Sequence, residues 1–148
     1  MRYYYGYESF KDDLKKLSLK IEKGYEFDAI VAIARGGMTI AHLLGEYFDN
    51  RNVFTINTIG YEDDKKLPSV KVFNIPNLKG YKRVLIVDDI VDSGESMKKV
   101  VSILKERYPQ NIFKTAVIFQ KKAVLFEADF YIKEPQGWID FFWSVDLK

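Results

Sequence analysis

Val84-Leu85-Ile86-Val87-Asp88-Asp89-Ile90-Val91-Asp92-Ser93-Gly94-Glu95-Ser96 runs four apolar residues into two adjacent acids, then two more apolar residues into a third acid and a short Ser and Gly turn. The unbroken apolar run suits a strand covered on both faces, as in a parallel sheet. Met97, Val100, Val101, Leu104 and Tyr108 then recur at helical spacing. Asp88 and Asp89 are thereby placed at the carboxyl end of a strand, the edge of an open α/β sheet where ligands gather. Asp92, Ser93, Gly94 and Ser96 enter the helix, whose free N–H groups and positive dipole end favour an anion such as phosphate. Carboxylates suited to a diol or a metal thus lie beside a phosphate cradle, and together they point to a phosphorylated sugar. The plainer reading is a helix cap, but capping needs one acid and this stretch supplies three.

Upstream, the apolar run Asp28-Ala29-Ile30-Val31-Ala32-Ile33-Ala34 breaks at Arg35-Gly36-Gly37 before a helical pattern of Ile40, Leu43, Leu44, Tyr47 and Phe48. Ser9 with Asp12 resembles a capping box, followed by Phe10, Leu14, Leu17 and Ile21 on one helical face until Gly24. Residues 52–58 read as a strand, the polar segment 60–68 as a mobile loop and residues 70–74 as a returning strand, so the loop is a candidate lid. Pro76, Asn77 and Gly80 supply turn chemistry ahead of the central strand.

Downstream, Pro109 forbids continuation of the helix, residues 112–119 read as a strand and residues 129–132 as a further short one. Gln136-Gly137 precedes the closing cluster Trp138-Ile139-Asp140-Phe141-Phe142-Trp143. The opening Met1-Arg2-Tyr3-Tyr4-Tyr5-Gly6-Tyr7 fits either an edge strand or an arm over the core or a neighbouring subunit. The alternation predicts an α/β fold, a mainly parallel twisted sheet flanked by helices. One domain over 1–148 is expected, with a small hood formed mainly by about 129–148 and the N-terminal arm a candidate contributor.

The 148 residues carry a formal charge of +2 with both signs interspersed, unlike the basic footprint of a nucleic-acid binder. There is no cysteine for a disulfide framework or a thiolate zinc site. No apolar run approaches about 18 residues and no signal-peptide pattern opens the chain, so a cytoplasmic protein without a membrane span is expected. Neither a Gly-x-x-x-x-Gly-Lys phosphate loop nor a Gly-x-Gly-x-x-Gly fingerprint is present. His42, the sole histidine, falls in a helical pattern and reads as structural rather than catalytic.

Val84 through Ser96 resembles the phosphoribosyl pyrophosphate signature of type I phosphoribosyltransferases. The resemblance implies that Asp88 and Asp89 hold the ribose hydroxyls, directly or through Mg²⁺, and that Asp92, Ser93, Gly94, Glu95 and Ser96, after Ile90 and Val91, bind the sugar phosphate. Magnesium suits carboxylate, water and phosphate oxygens. Glu95 would repel phosphate unless it turns away, and its side chain is expected to face solvent. Ala34-Arg35-Gly36-Gly37 is similar to the pyrophosphate loop of the same family, whose purine branch often holds a non-proline cis peptide here. That makes Ala34 to Arg35 the bond to inspect. By itself the same tetrapeptide reads equally well as a tight glycine turn.

Phe119-Gln120-Lys121 ends a strand, and Trp138-Ile139 follows at a distance similar to the base-binding hood of xanthine-guanine and hypoxanthine phosphoribosyltransferases. A purine needs an aromatic face, a donor at its exocyclic oxygen and backbone groups along its edge, and Trp138, Lys121 and Ile139 fit those roles in turn. The alternative makes Trp138 a core aromatic and Lys121 a solvated charge. Asp140 is a candidate for a second Mg²⁺ or for a cap on the hood. The resemblance makes Asp92 the general base, which burial would tune.

Tyr61 in the loop would help exclude water, and Lys65 and Lys66 are candidate pyrophosphate contacts in an unsettled register. The family commonly places Ser before this Tyr, where this chain has Gly60. The implied function is purine salvage with phosphoribosyl pyrophosphate and hypoxanthine, guanine or xanthine, by a homodimer or homotetramer. A sugar-phosphate or nucleotide sensor on the same fold, or a pyrimidine enzyme, are the alternatives.

Overall fold

The computed structural model describes residues 1–62 and 65–148, the side chains of residues 61–66 lying outside the description. In chain order the elements are β1 (Arg2–Tyr5), α1 (Tyr7–Gly24), β2 (Ala29–Ala34), α2 (Met38–Tyr47), β3 (Val53–Glu62), β4 (Lys65–Phe73) and β5 (Arg83–Val87). They continue with β6 (Ile90–Val91), α3 (Glu95–Arg107), β7 (Ile112–Ala116), β8 (Phe119–Gln120), β9 (Trp138–Phe141) and α4 (Phe142–Val145). The main sheet has the order β4-β3-β2-β5-β7, parallel throughout except for the antiparallel β3–β4 pair. This is the mainly parallel α/β sheet expected from the alternating pattern.

Burial follows the period of two that a strand imposes. On one face Ile30, Ala32, Leu85 and Val87 pack with Phe10, Leu14, Leu17 and Ile21 of α1 and Ile40, Ala41 and Leu44 of α2. On the other, Ala29, Val31, Ile33, Val84 and Ile86 meet Met97, Val100, Val101 and Leu104 of α3. Because β5 is covered on both sides, its polar continuation at Asp88 can only emerge at the sheet's carboxyl edge.

Four expectations are corrected. The helix start lies at Tyr7, with Gly6 at the N-cap and no side-chain cap bond, so Ser9 and Asp12 form no capping box. The chain leaves β1 at Gly6, three residues before Ser9, and the Gly6 carbonyl already accepts the Phe10 amide. Segment 60–68 is largely hairpin: Tyr61 pairs with Lys66 and Glu62 with Lys65 in the backbone ladder. Such pairing satisfies backbone groups whatever the polarity of the side chains, and a hydropathy pattern does not register it.

The expected strand 112–119 divides into β7 and β8, because the Ile118 and Phe119 amides turn to the Asp89 carbonyl at 3.1 and 3.2 Å. Residues 129–132 contribute only isolated bridges, Ala116 with Phe130 and, just beyond, Phe119 with Lys133. The edge they follow changes direction between β7 and β8, so no continuous ladder forms.

Of the two possibilities for the N-terminus, the edge strand is observed. β1 runs parallel to β9, with Arg2 opposite Trp138 and Tyr4 opposite Asp140. One face of this ribbon puts Tyr5, Ile139 and Phe141 into the core, where Tyr5 meets Phe119 edge-on at 4.9 Å. The other face carries Arg2, Tyr4, Trp138 and Asp140. The ribbon is tied to α1 by Asp13, which is buried, accepts the Tyr5 hydroxyl at 2.6 Å and pairs with Lys133 at 2.6 Å. No helix among the described residues is long and apolar enough to cross a membrane.

Candidate active site

The Asp88 amide donates to the Ala116 carbonyl at 3.2 Å, and the Asp88 carboxylate accepts the Asp89 amide at 2.9 Å. These bonds fix both acids just beyond β5. Burial pushes the Asp88 carboxyl well above the ordinary carboxylate range, with the adjacent Asp89 charge adding to the effect. Burial likewise raises Asp89. Two desolvated carboxylates side by side favour a proton or a cation.

Across the edge, the loop after β2 comes into contact with them. The Ala34–Arg35 peptide is cis, as the resemblance suggested. A Cβ on Gly36 would lie 2.5 Å from Asp89 Oδ2, and one on Gly37 would run into the Val87 carbonyl. The glycines therefore allow this loop to lie directly against the acidic pair. Arg35 is exposed beside them.

The loop from Asp92 to Ser96 is shaped by β6 and β8. Parallel pairing of Ile90 with Phe119 and Val91 with Gln120 carries Asp92 and Lys121 to the next facing positions, where their side chains form an ion pair. Gly94 is left-handed at φ 92°, and a Cβ there would stand 2.7 Å from the Phe126 nitrogen. Ser93 Oγ accepts the Glu95 amide at 3.2 Å at the start of α3. Glu95 is half-buried rather than turned out to solvent, lining a cleft with Ser69, Lys98 and Leu125. The reason is that α3 packs beside β4 at this point, which leaves a first-turn side chain against the hairpin instead of in open water.

The hood completes the edge. A cavity of about 960 Å³ brings Asp89, Ile90, Asp92, Lys121, Trp138, Ile139 and Asp140 together with Arg2. Trp138 is 64% exposed, so its ring is available to a ligand and is not a core aromatic, whereas the Ile139 side chain is buried and only its backbone can read a ligand's edge. Asp140 is gripped by Arg2, Nη2 to Oδ1 at 2.6 Å and Nε to Oδ2 at 3.1 Å, which holds its carboxyl below the usual range. The side chains of Tyr61, Lys65 and Lys66 lie outside the described residues. His42 does not line this cavity; it is exposed on α2 and sits 3.7 Å from Glu46.

Sequence reasoning missed Arg2, Asp13, Lys133 and the buried Gln120, whose side chain accepts the Ala128 amide at 2.7 Å. No local pattern could pair Arg2 with an acid 138 positions away. The alternation through Arg2-Tyr3-Tyr4-Tyr5 was the one available hint of a two-faced strand.

Comparison with known proteins meets the same geometry from outside. The phosphoribosyl transferase domain model matches residues 5–148. A xanthine-guanine phosphoribosyltransferase of Nitratidesulfovibrio vulgaris is 29% identical over 144 residues, covering 96% of this chain and 84% of that one. One from Cereibacter sphaeroides is 34% identical over 124 residues, covering 81% and 71%. The solved structure of the Helicobacter pylori xanthine-guanine-hypoxanthine phosphoribosyltransferase superposes with a TM-score of 0.92 at 39% identity, covering 99% of this chain and 96% of that one. With an acidic pair, a phosphate loop and a hood converging on one sheet edge, and with this similarity along nearly its whole length, the chain belongs to the type I phosphoribosyltransferases, in their purine branch.

Proposed function

We propose that this enzyme salvages purines, transferring the phosphoribosyl group from phosphoribosyl pyrophosphate to hypoxanthine, guanine or xanthine and releasing pyrophosphate. The observation that carries the reading is the shared cavity, which joins Asp89 and Asp92 at the sugar side to Lys121 and Trp138 at the base side. Asp88 and Asp89 hold the ribose hydroxyls, and the loop from Ile90 to Ser96 binds the sugar phosphate through backbone N–H groups and hydroxyls. Arg35, Gly36 and Gly37 receive the pyrophosphate, with Lys65 and Lys66 as further contacts. Trp138 stacks on the base, Lys121 donates to its 6-oxo group, and the Ile139 backbone reads its edge.

Asp92 is the proposed general base. Its ion pair with Lys121 supports this reading, since a base held by that lysine would present its ring proton close to Asp92. As the base arrives, Lys121 exchanges the Asp92 carboxylate for the purine oxygen, and Asp92 is released to accept the ring proton. Tyr61 would close over the site, excluding water from the activated sugar.

Asp88 and Asp89 suit Mg²⁺: they are hard oxygen donors whose desolvated charges a dication would relieve. When bound, the ion neutralises pyrophosphate charge. Asp140 is already held by Arg2, so the proposed metal set is Asp88 and Asp89. Residues 1–148 are proposed as one domain working as a homodimer or homotetramer. The proposed compartment is the cytoplasm, where its charged sugar substrate is retained by the membrane.

The test is a product assay with phosphoribosyl pyrophosphate, Mg²⁺ and separate bases, including uracil, orotate and adenine as comparators. Nucleoside monophosphate and pyrophosphate should appear in equal amounts with 6-oxopurines. Turnover confined to a pyrimidine, or binding without turnover for every base, would overturn the reading.

A further inference from the structure

Hypoxanthine, guanine and xanthine share the 6-oxo group assigned to Lys121 and differ at C2, which carries hydrogen, an amino group or an oxo group. A free carboxylate at that position welcomes the amino donor of guanine and repels the oxo acceptor of xanthine. Two hood carboxylates line the cavity, Glu134, which lies 4.0 Å from Lys122, and Asp140, which shares the strand face of the stacking residue Trp138 and is not free. Arg2 grips both of its oxygens, at 2.6 and 3.1 Å, from the neighbouring strand. The guanidinium also lies 5.7 Å from the centroid of the Trp138 ring.

Two of the five guanidinium N–H groups serve Asp140, which leaves three uncommitted among the described residues. Register explains the arrangement: Arg2 is opposite Trp138, and Asp140 is two residues further along the same face of the ribbon. The Trp138 amide donates to the Met1 carbonyl at 2.8 Å, so the first residues are built into the hood.

We propose that Arg2 is a specificity-determining residue that reads the purine's C2 substituent, cancelling the Asp140 charge and offering donors to a 2-oxo group. The Arg2–Asp140 pair thereby makes one hood acceptable to both guanine and xanthine. Guanine uses Asp140 as an acceptor, xanthine uses Arg2 as a donor, and hypoxanthine needs neither. This rests on the proposed purine transfer.

The experiment compares kcat and KM for the three purines in the parent protein, Arg2→Ala and the double variant Arg2→Ala with Asp140→Asn. Arg2→Ala should lower kcat/KM for xanthine relative to guanine by about 10- to 100-fold, mainly through KM, because a carboxylate no longer neutralised by Arg2 then faces the 2-oxo group. Adding Asp140→Asn should return most of the xanthine activity, since an amide can donate. Equal losses for all three purines would reduce Arg2 to a support for Trp138 and overturn the proposal. So would a xanthine to guanine ratio that does not respond to Asp140→Asn, or a parent protein that uses guanine but not xanthine. A parent protein inactive with every purine would instead refute the transfer reaction itself.

Discussion

Gly36→Ala isolates the contact between the loop after β2 and the acidic pair. The glycine is not in the left-handed region, so an added methyl acts through sterics alone. Its Cβ would stand 2.5 Å from Asp89 Oδ2 and 2.7 Å from both Oδ1 and Cγ. Ordinary contact begins at about 3.5 Å, so the carboxylate must retreat by about 1 Å. Overpacking of this kind costs about 1–3 kcal/mol, and at this chain length each kcal/mol moves Tm by about 2–4 °C, giving an expected fall of about 2–12 °C.

The functional loss should be larger in proportion, because a misplacement of about 1 Å can cost about 100-fold in rate. Steady-state kinetics should show a higher KM for phosphoribosyl pyrophosphate and a lower kcat, while purine affinity, proposed to rest on Trp138 and Lys121, stays near the parent value. Asp89→Ala removes all three crowding atoms, so in that background Gly36→Ala should cost less than about 0.5 kcal/mol. Gly60→Ala, with nothing closer than 4.0 Å, serves as the control. An unchanged KM for phosphoribosyl pyrophosphate, or the same stability penalty with and without the Asp89 side chain, would refute the argument.

Asp88 has a folded pKa above its unfolded one, so the folded state binds more protons in between and stability falls as pH rises from about 4 through the raised value. Asp88→Asn should therefore have a higher Tm than the parent at pH 7 in the absence of Mg²⁺, and the advantage should vanish below about pH 4 in thermal melts. Trp138→Ala should raise purine KM by about 5- to 150-fold, corresponding to about 1–3 kcal/mol of stacking, without a matching change for phosphoribosyl pyrophosphate. Lys133→Met leaves Asp13 with only the Tyr5 hydroxyl among the described partners. Because Lys133 is itself 41% exposed, chemical denaturation should register a loss of about 1–3 kcal/mol, partly recovered by adding Asp13→Asn.

The local elements and their chemistry were legible in the chain itself. Val84 to Val87 had to be a doubly covered strand because nothing in it tolerates water, and the acids that follow had to emerge at its end. The turns at Arg35-Gly36-Gly37 and Asp92 to Ser96 were likewise readable, since a chain that must pass tightly against its neighbours needs glycine there, at Gly36 beside Asp89 and at Gly94 in the left-handed region. What could not be read was anything held by residues distant in sequence. The pairing of Tyr61 with Lys66 and of Glu62 with Lys65 is held by cross-strand backbone bonds, and the division of β7 from β8 follows from amides that turn to the Asp89 carbonyl.

The hood shows the difference most clearly. Trp138, Ile139 and Asp140 declared an aromatic, acidic terminus, but their orientation depends on a parallel strand contributed by the first five residues. A period of two within β9 separates Ile139 from Trp138 and Asp140, yet only docking against β1 decides which face meets the core and which meets the cavity. Sequence determined the candidate groups because chemistry is carried by residue type and short spacing. Tertiary structure alone decided that Arg2 would neutralise Asp140 and that Lys121 would hold Asp92, because both pairs join segments whose separation along the chain says nothing of their separation in space.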